Sequence, residues 1–273
     1  MKPSANLPVA PDRPAEPLGP PAGQATTRLT CAILAFDVAH HIADCVRSCA
    51  FADRVVVFDT NSSDGTPEIA RAAGAEVIPI PFSNFSQARN AALAALDSEW
   101  VFFVDADERV TPELSWEIEG ILDRDDVDGW WTPRYNHLIG HVMKGGGWYP
   151  DHQLRLLRRA KARYDEQRRV HELVIIDGKQ ERLREHLIHY NYDSWAQFHA
   201  KQRRYTALEV QTLLDAGVSA HPRHLLTRPW QAFWRRFITW QGYRDGFHGL
   251  RLAAIMAWYE CRKSWGLLRG RNA

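Results

Sequence analysis

The sequence predicts a doubly wound α/β domain with a mainly parallel sheet, followed by a helical C-terminal extension. Three observations predict it. Apolar strands alternate with helical segments from Leu29 to about Leu122. Two of those strands run straight into acidic clusters, Val55-Val56-Val57-Phe58-Asp59 and Trp100-Val101-Phe102-Phe103-Val104-Asp105-Ala106-Asp107-Glu108. From Asp193 onward the pattern is helical, basic and rich in aromatics.

A continuous run of β-branched and aromatic residues suits a strand buried on both faces. A carboxylate straight after such a run sits at the strand's C-terminal end, the edge where open α/β sheets bind ligands. Two carboxylates one residue apart leave an extended strand end on the same side. Together they can share a hard divalent cation and the phosphates it carries.

The elements follow in order. Leu29–Phe36 reads as the first strand, His40–Ala50 as a helix and Arg54–Phe58 as the second strand. Thr66-Pro67-Glu68 has helix-start chemistry, with Thr66 as cap and Pro67 in the first turn, and Gly74 suits a left-handed stop. Glu76–Ile80 is the third strand, Ser86–Leu96 an alanine-rich helix and Trp100–Val104 the fourth strand. Thr111-Pro112-Glu113 repeats the helix start, and that helix runs to about Leu122. Gly129–Tyr135, Gln153–Arg158, Val170–Ile176 and Arg182–Tyr190 then read as short strands between loops. The expected organisation is a disordered segment over residues 1–28, an α/β domain over 29–192 and a helical extension over 193–273.

Composition narrows the class. The 33 acidic and 34 basic side chains nearly cancel over 273 residues, but residues 201–273 carry 13 Lys/Arg against 4 Asp/Glu. The acidic body and the basic tail should therefore meet different partners. Cys31, Cys45, Cys49 and Cys261 make neither a disulfide framework nor a zinc site, so reduced thiols and a cytoplasmic setting are expected. The Pro-, Ala- and Gly-rich first 28 residues lack the apolar core of a signal peptide, and no stretch has 18 uninterrupted apolar residues.

Three motifs then carry a resemblance: Phe58-Asp59-Thr60-Asn61-Ser62-Ser63-Asp64-Gly65-Thr66, Ser86-Gln87-Ala88-Arg89-Asn90 and Val104-Asp105-Ala106-Asp107-Glu108. In this order they resemble the family 2 glycosyltransferases, which have the GT-A fold. The resemblance implies a metal-dependent, inverting transfer from a nucleotide-sugar, with Mg²⁺ or Mn²⁺ as cofactor and uridine as the base. It implies that Asp59 bonds the nucleotide base, Arg89 helps hold the nucleotide, Asp105 faces ribose and metal, and Asp107 ligates the metal. Phe36, at the end of the first strand, is counted with the donor contacts. Arg89 is independently a sensible partner for phosphate or acidic groups, while Ser-Ser-Asp-Gly around Asp64 is also ordinary turn chemistry.

Inverting transfer needs a carboxylate to take the acceptor hydroxyl's proton. Glu172, in Arg169-Val170-His171-Glu172-Leu173, resembles the Val-His-Glu motif of the lipopolysaccharide-core branch and is the expected base. Many other members of the family carry Glu-Asp there. Asp151 is the alternative base or an acceptor contact. It follows Gly145-Gly146-Gly147-Trp148-Tyr149-Pro150, which lacks the Gly-Lys-Ser/Thr of a phosphate loop. That run reads as a mobile loop near the acceptor, with Trp148 as a sugar-stacking platform. Of His186 and His189, His189 is the expected additional metal contact. Trp195, Phe198 and Tyr205 read as packing residues.

Between Pro222 and Arg271 aromatics and arginines interleave, as in Trp230, Phe233, Trp234, Arg235, Arg236, Phe237 and Trp240. Trp and Tyr favour membrane interfaces, and Arg and Lys favour anionic headgroups. Docking at the inner face of the cytoplasmic membrane is one reading of this tail, and packing or dimerisation is another. No nucleic-acid motif accompanies the basic residues. The expected partners are thus a nucleotide-sugar donor, a glycan or glycolipid acceptor of the bacterial cell envelope, and an anionic membrane surface. Two rivals remain. A sugar nucleotidyltransferase would carry a Gly-rich, Arg-containing loop after its first strand, where this chain has Asp37-Val38-Ala39-His40-His41. A non-catalytic nucleotide-binding protein would not need both Asp105 and Asp107.

Overall fold

The computed structural model describes residues 27–166 and 173–270. Most of the expected N-terminal lead-in, the start of the expected strand Val170–Ile176 and the expected base Glu172 lie outside the described residues.

Four parallel strands form one half of a ten-stranded sheet: β1 (Leu29–Ala35), β2 (Arg54–Asp59), β3 (Glu76–Pro79) and β4 (Trp100–Asp105), in the order β3-β2-β1-β4. Chain order reverses on either side of β1, and that switch opens the crevice where such sheets bind ligands. The register sets Asp59 opposite Ala35 and Asp105 opposite Leu34, so both carboxylates flank the C-terminal end of β1.

Helices α1 (Ala39–Ser48), α2 (Thr66–Ala72), α3 (Phe85–Ala95) and α4 (Pro112–Ile121) cover the sheet. Alternate residues of β1 face opposite layers. Cys31, Ile33 and Ala35 pack with Ile42, Cys45, Val46, Leu114 and Ile118, whereas Ala32 packs with Phe58, Ala92, Leu96 and Phe103. Each fully buried large side chain contributes roughly 1.5–3 kcal/mol. The four cysteines are free thiols, as expected.

Local chemistry explains the helix starts. Thr111 caps α4 by accepting from Leu114 N (3.2 Å), and Asn84 caps α3 by accepting from Gln87 N (2.9 Å). Thr66 is not the cap of α2: Gly65, in the left-handed region at φ 84°, takes that position. The Thr66 hydroxyl is buried instead, accepting from Val38 N (2.9 Å) and donating to Asp64 (2.5 Å). Gly74 does adopt the expected left-handed conformation, at φ 103°.

The second half of the sheet is mixed. It holds β5 (Glu108–Val110), β6 (Gly129–Leu138), β7 (His141–Val142), β8 (Asp151–Arg158), β11 (Gln180–Arg182) and β12 (Leu187–Tyr192). β8 pairs antiparallel with both β4 and β6, and β12 runs parallel to β6. A separate ribbon joins β9 (Ala162–Tyr164) to β10 (Val174–Ile176).

The extension consists of α5 (Trp195–Asp215), α6 (His224–Trp234) and α7 (Gly246–Gly270), with a π-helical turn at Arg235–Thr239. Phe198 is fully buried with Leu138, Met143, Tyr192 and Leu252, which fastens α5 and α7 to the sheet. Tyr205 was expected to pack and is instead exposed, because it lies on the outer face of α5. The glycine run 145–147 is packed against the extension: a Cβ on Gly145 would lie 2.3 Å from the Gln241 carbonyl oxygen, and Gly146 N donates to Trp240 O (2.7 Å). Among the described residues, no helix is long and apolar enough to cross a membrane.

Candidate active site

The loops after β1 and β2 are laced by short polar ties. Asp37 accepts from Ser63 N (2.7 Å), and Asp64 accepts from Ala39 N (2.9 Å) and Thr66 N (3.1 Å). The Thr66 hydroxyl and Ala39 N–H hold the Asp64 carboxyl below its ordinary range, so Asp64 is a staple between loops. Asp59 is buried; its Oδ2 accepts from Asn61 N and Ser62 N, both at 3.1 Å. Among the described residues its Oδ1 makes only a long contact, with Ser62 N (3.4 Å). Phe36 is 60% exposed at the mouth of this crevice.

Asp105 sits at the end of β4 between two arginines. Arg89 from α3 donates to Oδ1 (2.9 Å); Arg155 from β8 donates to Oδ1 (3.1 Å) and also bonds Oδ2. Burial pushes the Asp105 carboxyl up, but Arg155 and Arg89 outweigh it and hold it far below the usual range. Behind it lies fully buried Glu108, paired with Arg134 (2.8 Å) and Arg155 (3.2 Å), and accepting from Asp105 N (2.9 Å). Arg89 lies over Phe103 at 4.9 Å and Tyr164 at 5.7 Å. Arg109 secures the turn, donating to the carbonyls of Ala106 (2.9 Å), Glu108 (2.7 Å) and His41 (3.1 Å).

Asp107 projects past this network. The two residues expected to meet a metal, Asp107 and His189, come together: Asp107 Oδ2 lies 3.4 Å from His189 Nε2. Asn136 fixes the ring. Its amide nitrogen donates to Trp148 O (2.7 Å) and Asp151 Oδ2 (3.1 Å), so its oxygen faces His189 and accepts from Nδ1–H (2.7 Å). His189 Nε2 is thereby left for Asp107 or for a cation between them. An outer hydrogen bond of this kind orients metal-binding histidines. Carboxylate and imidazole at this separation fit adjacent ligands of one divalent ion. Burial raises the Asp107 carboxyl, and the His189 ring brings it below its ordinary range.

The expected acceptor contacts surround Asn136. Asp151 pairs with Arg134 Nε (3.0 Å) and Nη2 (2.5 Å), and Gln153 donates to it (2.9 Å). Burial pushes the Asp151 carboxyl up, while Arg134 and the neighbouring amides hold it below its ordinary range. Trp148 is half buried, edge-on to Tyr192 and packed against the Phe198 cluster. His186 is not part of the metal pair; it stacks on Tyr135 at 3.9 Å and contacts Tyr149 Oη (3.1 Å). Beside this loop a cavity of about 470 Å³ is lined by Lys144, Tyr149, Pro150, Trp240, Gln241 and Arg244.

Arg155, Arg134 and Asn136 are site residues that the sequence pattern did not single out. Arg155 left one signal, a charged residue between apolar neighbours in Gln153-Leu154-Arg155-Leu156-Leu157. Arg134 and Asn136 left none, because their roles depend on the pairing of β6 with β8 and β12.

Residues 30–141 match the family described as Glycosyl transferase family 2. The chain is 25% identical over 245 residues to the lipopolysaccharide core biosynthesis glycosyltransferase LpsC of Rhizobium meliloti, covering 86% of this chain and 91% of that protein. It is 27% identical over 216 residues to an uncharacterized glycosyltransferase of Rickettsia felis, covering 75% of this chain and 76% of the relative. Among solved structures, the glucosyl-3-phosphoglycerate synthase of Mycobacterium tuberculosis with Mn²⁺, UDP-glucose and phosphoglyceric acid is similar at 21% identity. That match spans 42% of this chain and 45% of the other with a TM-score of 0.35.

Proposed function

We propose that this chain, which carries a family 2 glycosyltransferase domain, moves a sugar with inversion from a nucleoside-diphosphate donor, UDP in the first instance, to a glycan or glycolipid acceptor. The pathway proposed is cell-envelope lipopolysaccharide synthesis, in keeping with the name of the Rhizobium relative. One observation carries the reading: Asp107 and His189, distant in sequence, converge 3.4 Å apart with the histidine oriented by Asn136.

In this reading Asp107 and His189 hold Mg²⁺ or Mn²⁺, which as a Lewis acid would neutralise charge developing on the diphosphate. Asp59 offers Oδ1 to the base. Asp105, kept ionised by Arg89 and Arg155, would face the ribose and the metal. Arg89 stays close to the nucleotide without leaving Asp105. The acceptor hydroxyl attacks C1 from the side opposite the leaving diphosphate. Glu172 takes its proton; the resemblance assigns that role. Asp151 is the weaker choice as base, since its pairing with Arg134 lowers its basicity. Trp148 and Asp151 shape the acceptor side, and the neighbouring cavity, with Lys144 and Arg244 on its wall, offers space for the rest of the acceptor. Residues 29–192 would do the chemistry and 193–273 would dock the enzyme on the inner face of the cytoplasmic membrane.

Calorimetric titration with nucleoside diphosphates and their sugars, with and without Mn²⁺, tests the donor reading. We expect metal-dependent binding of one nucleotide, lost in Asp107→Ala, and unaltered donor binding without turnover in Glu172→Gln. Failure of every nucleotide to bind would sink the reading; full turnover by Glu172→Gln would remove only the base assignment.

A further inference from the structure

We propose that His40, His41 and Asp193 form a second divalent-cation site, separate from Asp107 and His189, which takes a nitrogen-preferring ion of the Zn²⁺ class. This goes beyond the transfer reaction and does not require it.

One ligand atom from each of these three side chains lies within 4.8 Å of the other two. His40 and His41 occupy the first turn of α1, with ring centroids 4.0 Å apart. Asp193 arrives from the other half of the chain, between β12 and α5. Its backbone is fixed: Asp193 N donates to Gln197 Oε1 (2.8 Å), and Ser194 caps α5 by accepting from Gln197 N (3.2 Å). Its carboxylate and the two imidazoles have no hydrogen-bond partner among the described residues, unlike Asp37 and Asp64 nearby, which accept from Ser63 N and Ala39 N.

The donor set selects the ion. Two imidazoles and one carboxylate suit Zn²⁺ and its neighbours in the transition series, whereas Mg²⁺ prefers oxygen and retains water. Bonds of about 2.0–2.1 Å put tetrahedral ligand atoms roughly 3.3 Å apart. Rotation of the exposed His40 and Asp193 side chains toward half-buried His41 would close the remaining distance. Three protein ligands leave one position for water or a substrate oxygen. The titratable and charged groups facing His41 are its neighbour His40, then Arg109, Asp107 and Asp193. The Arg109 charge is directed into three carbonyl oxygens and over the Tyr190 ring at 5.5 Å, so the two carboxylates face an incoming cation.

Such a site would be a brace. α1 follows β1 in the donor-binding half, and Asp193 opens the helical extension. An ion bound by both fixes the extension against the crevice without a covalent link.

Co²⁺ titration of the untagged full-length protein, followed by visible absorption, tests this, with Zn²⁺ calorimetry for affinity and circular dichroism to verify folding. Wild type should develop a low-symmetry Co²⁺ band that survives in Asp107→Ala. The His40→Ala/His41→Ala double variant should bind at least tenfold more weakly, and Asp193→Asn should also weaken binding. Wild-type affinity in the double variant, or no Co²⁺ uptake by wild type, overturns the proposal. So does loss of the band in Asp107→Ala with retention in the double variant, which would place the ion at the Asp107–His189 pair and leave the donor reading intact.

Discussion

The two halves of this chain treat their apolar residues in opposite ways. In the parallel half, Val56, Val57, Phe58, Phe102 and Phe103 are fully buried, and the carboxylates at its edge are held by arginines, as Asp105 is, or by backbone amides, as Asp59 is. In the extension, Leu226 and Phe247 are each 79% exposed and Trp230 is 63% exposed, beside exposed Arg235 and Arg244. Large apolar side chains left in water beside arginines are the chemistry an interaction surface would use. The first half uses burial to hold charges still at a sheet edge. The second presents a surface whose value lies in what it meets.

Removing one buried charge should break the first half most severely. Arg155 ties β8 to Asp105 and Glu108, and losing one partner of a buried pair costs about 3–5 kcal/mol. Arg155→Met should therefore lower unfolding free energy by about that amount in urea titrations, and weaken nucleotide binding with it. The same pair sets an acid limit. Because the folded Asp105 carboxyl is held below its unfolded value of about 3.9, its stabilisation is complete above that pH and fades as pH falls toward the folded value. Arg155→Met should show a shallower loss on acidification than wild type.

The seam between the halves gives a middle-sized effect. Gly145 abuts the Gln241 backbone, and Gly146 bonds Trp240 across the same seam. Gly145→Ala must move one backbone away from the other. A cost of about 1–3 kcal/mol is expected from overpacking, read as a lower melting temperature with normal secondary structure. An unchanged melting temperature would mean that the extension is not braced by this loop.

Legibility in the sequence followed the same division. The strands that end at Asp59 and Asp105 were readable because a strand buried on both faces needs an unbroken apolar run, and the Thr111-Pro112 helix start because capping is local. The pairing of Asp107 with His189 was anticipated through the resemblance, and their 3.4 Å approach is a product of β12 pairing with β5 and β6. Arg155, Arg134 and Asn136 were not readable as site residues. Each reaches its partner across a strand register that no local pattern encodes, over separations such as the 50 residues from Arg155 to Asp105. The packing of the glycine run was hidden for a similar reason. Its partner, Trp240-Gln241, lies almost a hundred residues downstream, and a flexible loop and a tight backbone contact both call for glycine.

The smallest effect on stability should accompany a large effect on location. Trp230 and Trp234 stand one turn apart on α6, both exposed and flanked by Arg235. Replacing exposed residues that fill no core typically changes stability within about 0.5 kcal/mol. Trp230→Ser/Trp234→Ser should therefore melt like wild type. If α6 docks on the membrane, the same double variant should sediment with phosphatidylglycerol vesicles at least tenfold more weakly. Salt should weaken the wild type as well, since each basic residue near an anionic surface contributes roughly 1 kcal/mol that screening removes. Equal vesicle binding by variant and wild type would remove α6 as the docking surface. Equal vesicle binding together with a concentration-dependent shift in oligomeric state would instead assign the exposed aromatics to a contact between copies of the chain.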